Sequence, residues 1–221
     1  MEDAGRIEAT PLAALGLQNP SRSERRDQQT RRILDAAKAC FRRHGFQGAS
    51  MHQICAEAGM SPGALYRYFE SKEAVVEAIS EEDRRQDAEV FRGILTNPDV
   101  VEGMTAAAMV HIRHMHENGT AGMFAEICAE SMRNPSVEGF CRKNMEQVAG
   151  MFGAYLGGAL ERGEIDPPVG LDVVLPVMLS IAHGMALNDL PAKGVPLEKL
   201  EILLRATAEG MLRPTGRRKA G

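Results

Sequence analysis

The segment SMHQICAEAGMSPGALYRYFESK, residues 50–72, restricts the fold more than any other part of the chain. Ser50, three residues before Gln53, makes a capping box that opens a short helix over MHQICAEA. Gly59 takes positive φ cheaply and closes that helix. Ser61 then caps a second helix with Pro62 at its first position, expected over Pro62–Phe69. Two helices this short, joined by so tight a turn, need small residues where they cross and apolar residues to lock them. Cys55 and Ala58 meet the first need; Ile54, Met60 and Leu65 meet the second. The pattern is that of a helix-turn-helix, which many helical hairpins share. On the second helix Leu65 and Phe69 are four apart and face inward. Neighbours on a helix point about 100° apart, so Tyr66, Arg67 and Tyr68 fan over the remaining surface.

The rest of the chain also carries helical rather than strand periodicity. From Asp27 to His44, the residues Ile33, Ala37, Cys40, Phe41 and His44 follow helical steps, and Gly45 is placed to end that helix at C′. A long amphipathic helix follows from Lys72 and stops before Asn97-Pro98. Further helices are expected at about 99–117, 121–133, 137–162, 171–188 and 197–212, divided by Gly119, Asn134-Pro135 and two Pro/Gly-rich stretches. The expected fold class is therefore all-α: an N-terminal three-helix helix-turn-helix domain and a C-terminal helical domain. The expected divisions are a leader at 1–22, the helix-turn-helix domain at 23–72, the regulatory domain at 73–213 and a basic tail at 214–221.

Charge divides the chain in the same place. Residues 20–72 carry ten Lys or Arg against five acids, while residues 73–221 carry fifteen against twenty-two. A basic head on an acidic body steers the head alone toward a polyanion. The four cysteines show neither metal-site nor disulfide spacing, and the start is acidic where a signal peptide would be basic. A cytoplasmic protein is expected. The most apolar stretch, GLDVVLPVMLSIAHGMAL, is interrupted by Asp172, Pro176, His183 and Gly184, so no membrane partner is expected.

Residues 33–76 resemble the DNA-binding domain of the TetR/AcrR family of transcriptional regulators. The resemblance rests on Ala36-Ala37, Phe41, Gly45-Phe46, Ser50, Ile54, Ala58-Gly59, Ser61, Gly63, Leu65-Tyr66, Tyr68-Phe69 and Lys72-Glu73. Cys55 and Met60 stand where the family more often has Ala and Val. The resemblance implies a homodimer on double-stranded palindromic operator DNA. It makes Tyr68 and Lys72 anchors for the DNA backbone, with Gly63 and Ala64 allowing close approach. Arg67 offers a bidentate fork to guanine. Tyr66 offers its hydroxyl to phosphate or its ring to a thymine methyl, and a largely buried Tyr66 is the alternative. Ser50 and Ser61 cap helices, and Ser50 also meets a phosphate. Arg22, Arg25, Arg26 and Arg31 form an arm tracking phosphates or a minor groove.

In the acidic body, Leu175, Met178, Leu179, Ala182, Leu200, Leu203 and Leu204 form stripes suited to a two-fold four-helix interface, or to an internal core. Met109, Met115, Phe124, Ile127, Met151, Phe152, Tyr155 and Met178 are candidates to line a site for a small apolar effector, or an ordinary Met-rich core. His111, His114 and His116 cannot all point one way from one helix, so no metal site is expected. No cofactor is expected, and no P-loop, GxSxG or HExxH motif argues for an enzyme. The expected function is an effector-released repressor. By family resemblance it acts on efflux or detoxification genes. An activator or regulator without small-molecule induction is the alternative.

Overall fold

The computed structural model describes residues 21–117, 119–188 and 190–217. Most of the expected leader and the end of the basic tail, residues 1–20 and 218–221, lie outside them. The described residues form nine α-helices and no strand. They are α1 (Arg22–Gly48), α2 (Met51–Glu57), α3 (Pro62–Leu65), α4 (Lys72–Ile94), α5 (Val100–Glu117), α6 (Ala121–Ser131), α7 (Pro135–Glu161), α8 (Leu171–Leu187) and α9 (Leu197–Leu212).

Local chemistry accounts for most boundaries. A capping box forms at Ser50 and Gln53, as its spacing required. Asn134 caps α7, with Pro135 in the first turn. Ser71 accepts from the Ala74 amide at the start of α4. Two boundaries differ from expectation. α1 starts at Arg22, because Ser21 and Glu24 form a second capping box. α3 ends at Leu65, and residues 66–68 continue as a turn held by the Tyr68 and Phe69 amides on the Leu65 carbonyl.

Gly45 does not simply end α1. It sits at φ 68°, ψ 171°, a backbone state reserved for glycine, and the chain resumes a short helical turn to Gly48. This kink drives the Phe46 ring into the core beside Phe41, with ring centroids 5.9 Å apart.

The head core does not stop at the head. Ile33, Phe41, Ile54 and Leu65 share one apolar cluster with Met123 and Ile127 of α6 and with Val137 and Phe140 of α7. α5 packs on α8 and α9, and α4 packs on α7, which builds the body around two further clusters.

α8 and α9 divide their apolar residues differently from the expected interface stripe. Leu175, Leu200 and Leu204 are buried within the chain, and Met178, Leu179 and Ala182 face a cavity. Of the seven, only Leu203 is exposed, and it is joined outside by Val173, Val177 and Ile202. Each helix carries two apolar faces, and the one expected to pair is the one that fills the core.

Candidate functional site

The turn from α2 to α3 rests on Gly59, whose φ of 60° lets the Met60 amide reach the Cys55 carbonyl at 3.0 Å. Leu65 is completely buried and pins α3 to the head core. With Leu65 inward, Ser61, Gly63, Tyr66 and Arg67 are all exposed. Tyr66 is 53% exposed, so the alternative of a buried ring does not hold. Ser61 makes no side-chain capping bond, contrary to its expected role, which leaves its hydroxyl available to a partner. A Cβ at Gly63 would meet nothing within 4 Å, so the fold itself does not require glycine there. Ser50 is exposed at the start of α2, its hydroxyl engaged with Gln53. Ala64 is half-buried beside Leu65.

Tyr68 and Lys72 also have partners within the head. Tyr68 is half-buried, packed on the head core, and the Arg26 guanidinium lies 5.3 Å from its ring centroid. Arg26 and Arg31, expected on an arm tracking phosphates or a minor groove, project from the first turns of α1, where both are exposed. Lys72 donates to the carbonyls of Phe46 (2.7 Å) and Ala49 (3.1 Å), and its ammonium lies 4.4 Å from the Phe46 ring centroid. An ammonium has three protons, so one remains for an outside acceptor. Its first task is internal.

Sequence reasoning missed the residues that tie this head to the body. Glu126 of α6 accepts the Phe46 amide, so the Phe46 residue is clamped at N–H by α6 and at C=O by α4. Gln47 donates to Glu130 at 2.6 Å. The Arg133 hydrogen bond, ahead of those from Asn134 and Gln47, holds the Glu130 carboxyl below the usual carboxylate range. Lys38 of α1 pairs with Asp83 of α4 at 2.7 Å. These partners are 45 to 83 positions apart in sequence, and only the Phe46 pattern and the glycine before it hinted at a special site.

The body encloses a cavity of about 250 Å³ between α4, α5, α6, α7 and α8, and a smaller one of about 70 Å³ beside it. The two share His111, Val148 and His183 as a common wall. Met115, Phe124, Ile127 and Met151 line the larger; Phe152 and Met178 line the smaller. Met109 is buried in the α5–α8–α9 core and lines neither. Tyr155 is structural: Gly103 makes room for its phenol, which donates to the Asn97 carbonyl at 2.7 Å. Burial, ahead of the charges of Asp99 and Glu164, pushes that phenol up to about 12.

The larger cavity is not wholly apolar. His111, His114, Asn144, Gln147 and His183 also line it. Burial, reinforced by His183 and His114, pushes His111 down to about 4, so its imidazole is neutral at physiological pH. Burial also lowers His183. Among the described residues, no group of three His, Cys, Asp or Glu is arranged to hold a metal ion. No helix among them is long and apolar enough to cross a membrane.

An exposed arginine and tyrosine on a helix-turn-helix, carried by a basic head on an all-α body, define a DNA-binding regulator. Comparison with known proteins makes this particular. Residues 33–79 match the model of bacterial regulatory proteins of the tetR family. The HTH-type transcriptional regulator UidR of Escherichia coli K12 is 33% identical over 167 residues, 76% of this chain and 84% of UidR. The HTH-type transcriptional repressor AcnR of Corynebacterium glutamicum is 33% identical over 82 residues, covering 33% of this chain and 44% of AcnR. Among solved structures, Salmonella enterica GusR superposes with a TM-score of 0.74 at 30% identity, over 84% of this chain and 96% of GusR. FadR of Bacillus subtilis, solved with stearoyl-CoA, shares the fold, with a TM-score of 0.68 at 16% identity, over 81% of this chain and 98% of FadR. The chain belongs to the tetR family and is a helix-turn-helix transcriptional regulator.

Proposed function

We propose that the protein is a repressor that grips a palindromic operator as a homodimer and lets go when a small, mainly apolar effector fills the cavity. The observation that carries this reading is the double duty of α6. Met123, Phe124, Ile127, Cys128 and Ser131 face the cavity, while Glu126 and Glu130 hold Phe46 and Gln47 of the DNA-binding head. α4 repeats the arrangement, lining the cavity with Ile79, Asp83 and Phe91 and gripping the head through Lys72 and through Asp83, which pairs with Lys38 of α1. A ligand that displaces either helix therefore moves the head with it.

In the free dimer the two reading turns sit about 34–36 Å apart, one duplex turn, and enter successive major grooves. Occupancy of the cavity favours another spacing. A coupling of about 1–3 kcal/mol lowers operator affinity roughly 5–150-fold. Control of efflux or detoxification genes rests on family resemblance.

The test pairs thermal-shift screening with fluorescence anisotropy on bound duplex. Molecules that stabilise the protein are expected to release the duplex, and Glu126→Gln is expected to keep their binding while reducing the release. Cavity ligands that leave operator affinity unchanged in the wild-type protein would contradict the switch.

A further inference from the structure

The larger cavity sets a chemical requirement on its occupant that its apolar lining hides. His111 on α5 and Asn144 on α7 both line it, and each has one side-chain atom, His111 Nε2 and Asn144 Oδ1, sealed from solvent and without a hydrogen-bond partner among the described residues. A buried polar atom left unpaired is costly, so such atoms find partners. No described residue supplies one, which leaves the role to a molecule in the cavity.

The His111 ring is held in place by aromatic neighbours. It stands edge-on to His183, with centroids 5.1 Å apart, and to Phe124 at 6.4 Å. Being neutral, the imidazole offers one donor and one acceptor nitrogen. Asn144 Oδ1 requires a donor. A hydroxyl is both donor and acceptor, and it satisfies either group without bringing charge.

Charge is excluded on separate grounds. The carboxylates and the arginine of the lining already have partners within the chain: Asp83 pairs with Lys38 at 2.7 Å, Arg84 with Glu81, and Asp87 lies 3.5 Å from His114. An ionised ligand entering this lobe loses its hydration and finds no free counter-charge, a heavy penalty in a low-dielectric site. The adjoining smaller cavity, lined by Met104, Phe152, Met178 and Leu204, suits an uncharged apolar extension.

Resting on the reading of this cavity as the effector site, we propose that the effector is an uncharged, hydroxyl-bearing molecule with an apolar body, its hydroxyl recognised by His111 and Asn144. Two variants isolate the recognition. His111→Phe and Asn144→Leu each remove a group unpaired in the free chain, so each is expected to melt at or above the wild-type temperature without ligand.

Calorimetric titration with 4-hydroxybiphenyl, biphenyl and biphenyl-4-carboxylate tests the proposal. The wild-type protein is expected to bind the hydroxylated probe about 10-fold more tightly than biphenyl, with the carboxylate weakest. Each variant is expected to lose most of that preference while still binding biphenyl. Biphenyl bound as well as 4-hydroxybiphenyl by the wild type would overturn the hydroxyl assignment and leave the effector cavity standing. A carboxylate bound tightest would overturn the assignment of an uncharged ligand. Binding of none of the three would sink the cavity reading, and the proposal with it.

Discussion

Replacing Gly45 by alanine is expected to destabilise the protein by about 3 kcal/mol, through two effects that act at one atom. The φ 68°, ψ 171° backbone at this kink is strained for any residue with a Cβ, at a cost on the order of 1–3 kcal/mol. The new Cβ would also lie 2.5 Å from Glu126 Oε1, displacing the carboxylate that accepts the Phe46 amide. A charge-assisted hydrogen bond is then lost, and a part-buried N–H is left without its acceptor. For a chain of this length the sum corresponds to roughly 6–12 °C in Tm. Gly48→Ala, whose Cβ would meet only His44 Cβ at 3.7 Å, is the matched control and is expected to change little. Pairing Gly45→Ala with Glu126→Ala removes the collision while the strain and the missing hydrogen bond remain, so the double variant should be less destabilised than the sum of the two single variants. Thermal unfolding that leaves Gly45→Ala level with the control would contradict the clamp on Phe46.

The second large effect concerns assembly. Ile202 and Leu203 are 65% and 56% exposed on α9, and Val173 and Val177 form a comparable apolar edge on α8. If these faces meet their two-fold mates, each substitution enters the interface twice. Ile202→Glu with Leu203→Glu is then expected to yield a folded monomer in sedimentation, because neither residue contributes to the chain's own core. Operator affinity is expected to fall about 10²–10⁴-fold as the second half-site contact ceases to be intramolecular. Val90→Glu, at a similarly exposed valine on α4, is expected to leave both dimer and affinity intact. A double variant that remains dimeric would place the interface elsewhere.

The helices were legible because their ends carry local chemistry. Ser50 with Gln53, Asn134 with Pro135, and Gly59 each act within a few residues of themselves. The start of α1 was equally local, and the signal was present: Ser21 and Glu24 have capping-box spacing. The exposed turn at Tyr66 and Arg67 was legible too, since Leu65 could face only one way.

What escaped is what depends on distance in sequence. Glu126 and Glu130 look like solvated helix carboxylates until folding brings α1 alongside α6. The internal bonds of Lys72 escaped because nothing local reveals that Phe46 and Ala49 present their carbonyls to it. α8 and α9 show apolar residues on two faces, and periodicity alone does not say which face turns inward. The polar side of the cavity draws His111, Asn144 and His183 from three separate helices, so no single stretch announces it.

On the proposed function, the exposed turn bearing Tyr66 and Arg67 reads duplex DNA. Selection of binding sequences from a randomised duplex pool, repeated with Arg67→Ala, tests it most directly. The wild-type protein should enrich a two-fold sequence with half-sites one helical turn, or a multiple of it, apart. Arg67→Ala should bind that sequence about 1–3 kcal/mol more weakly and lose preference at one symmetric base pair. A wild-type pool without enrichment, or an Arg67→Ala pool yielding the same sequence at the same affinity, would contradict it.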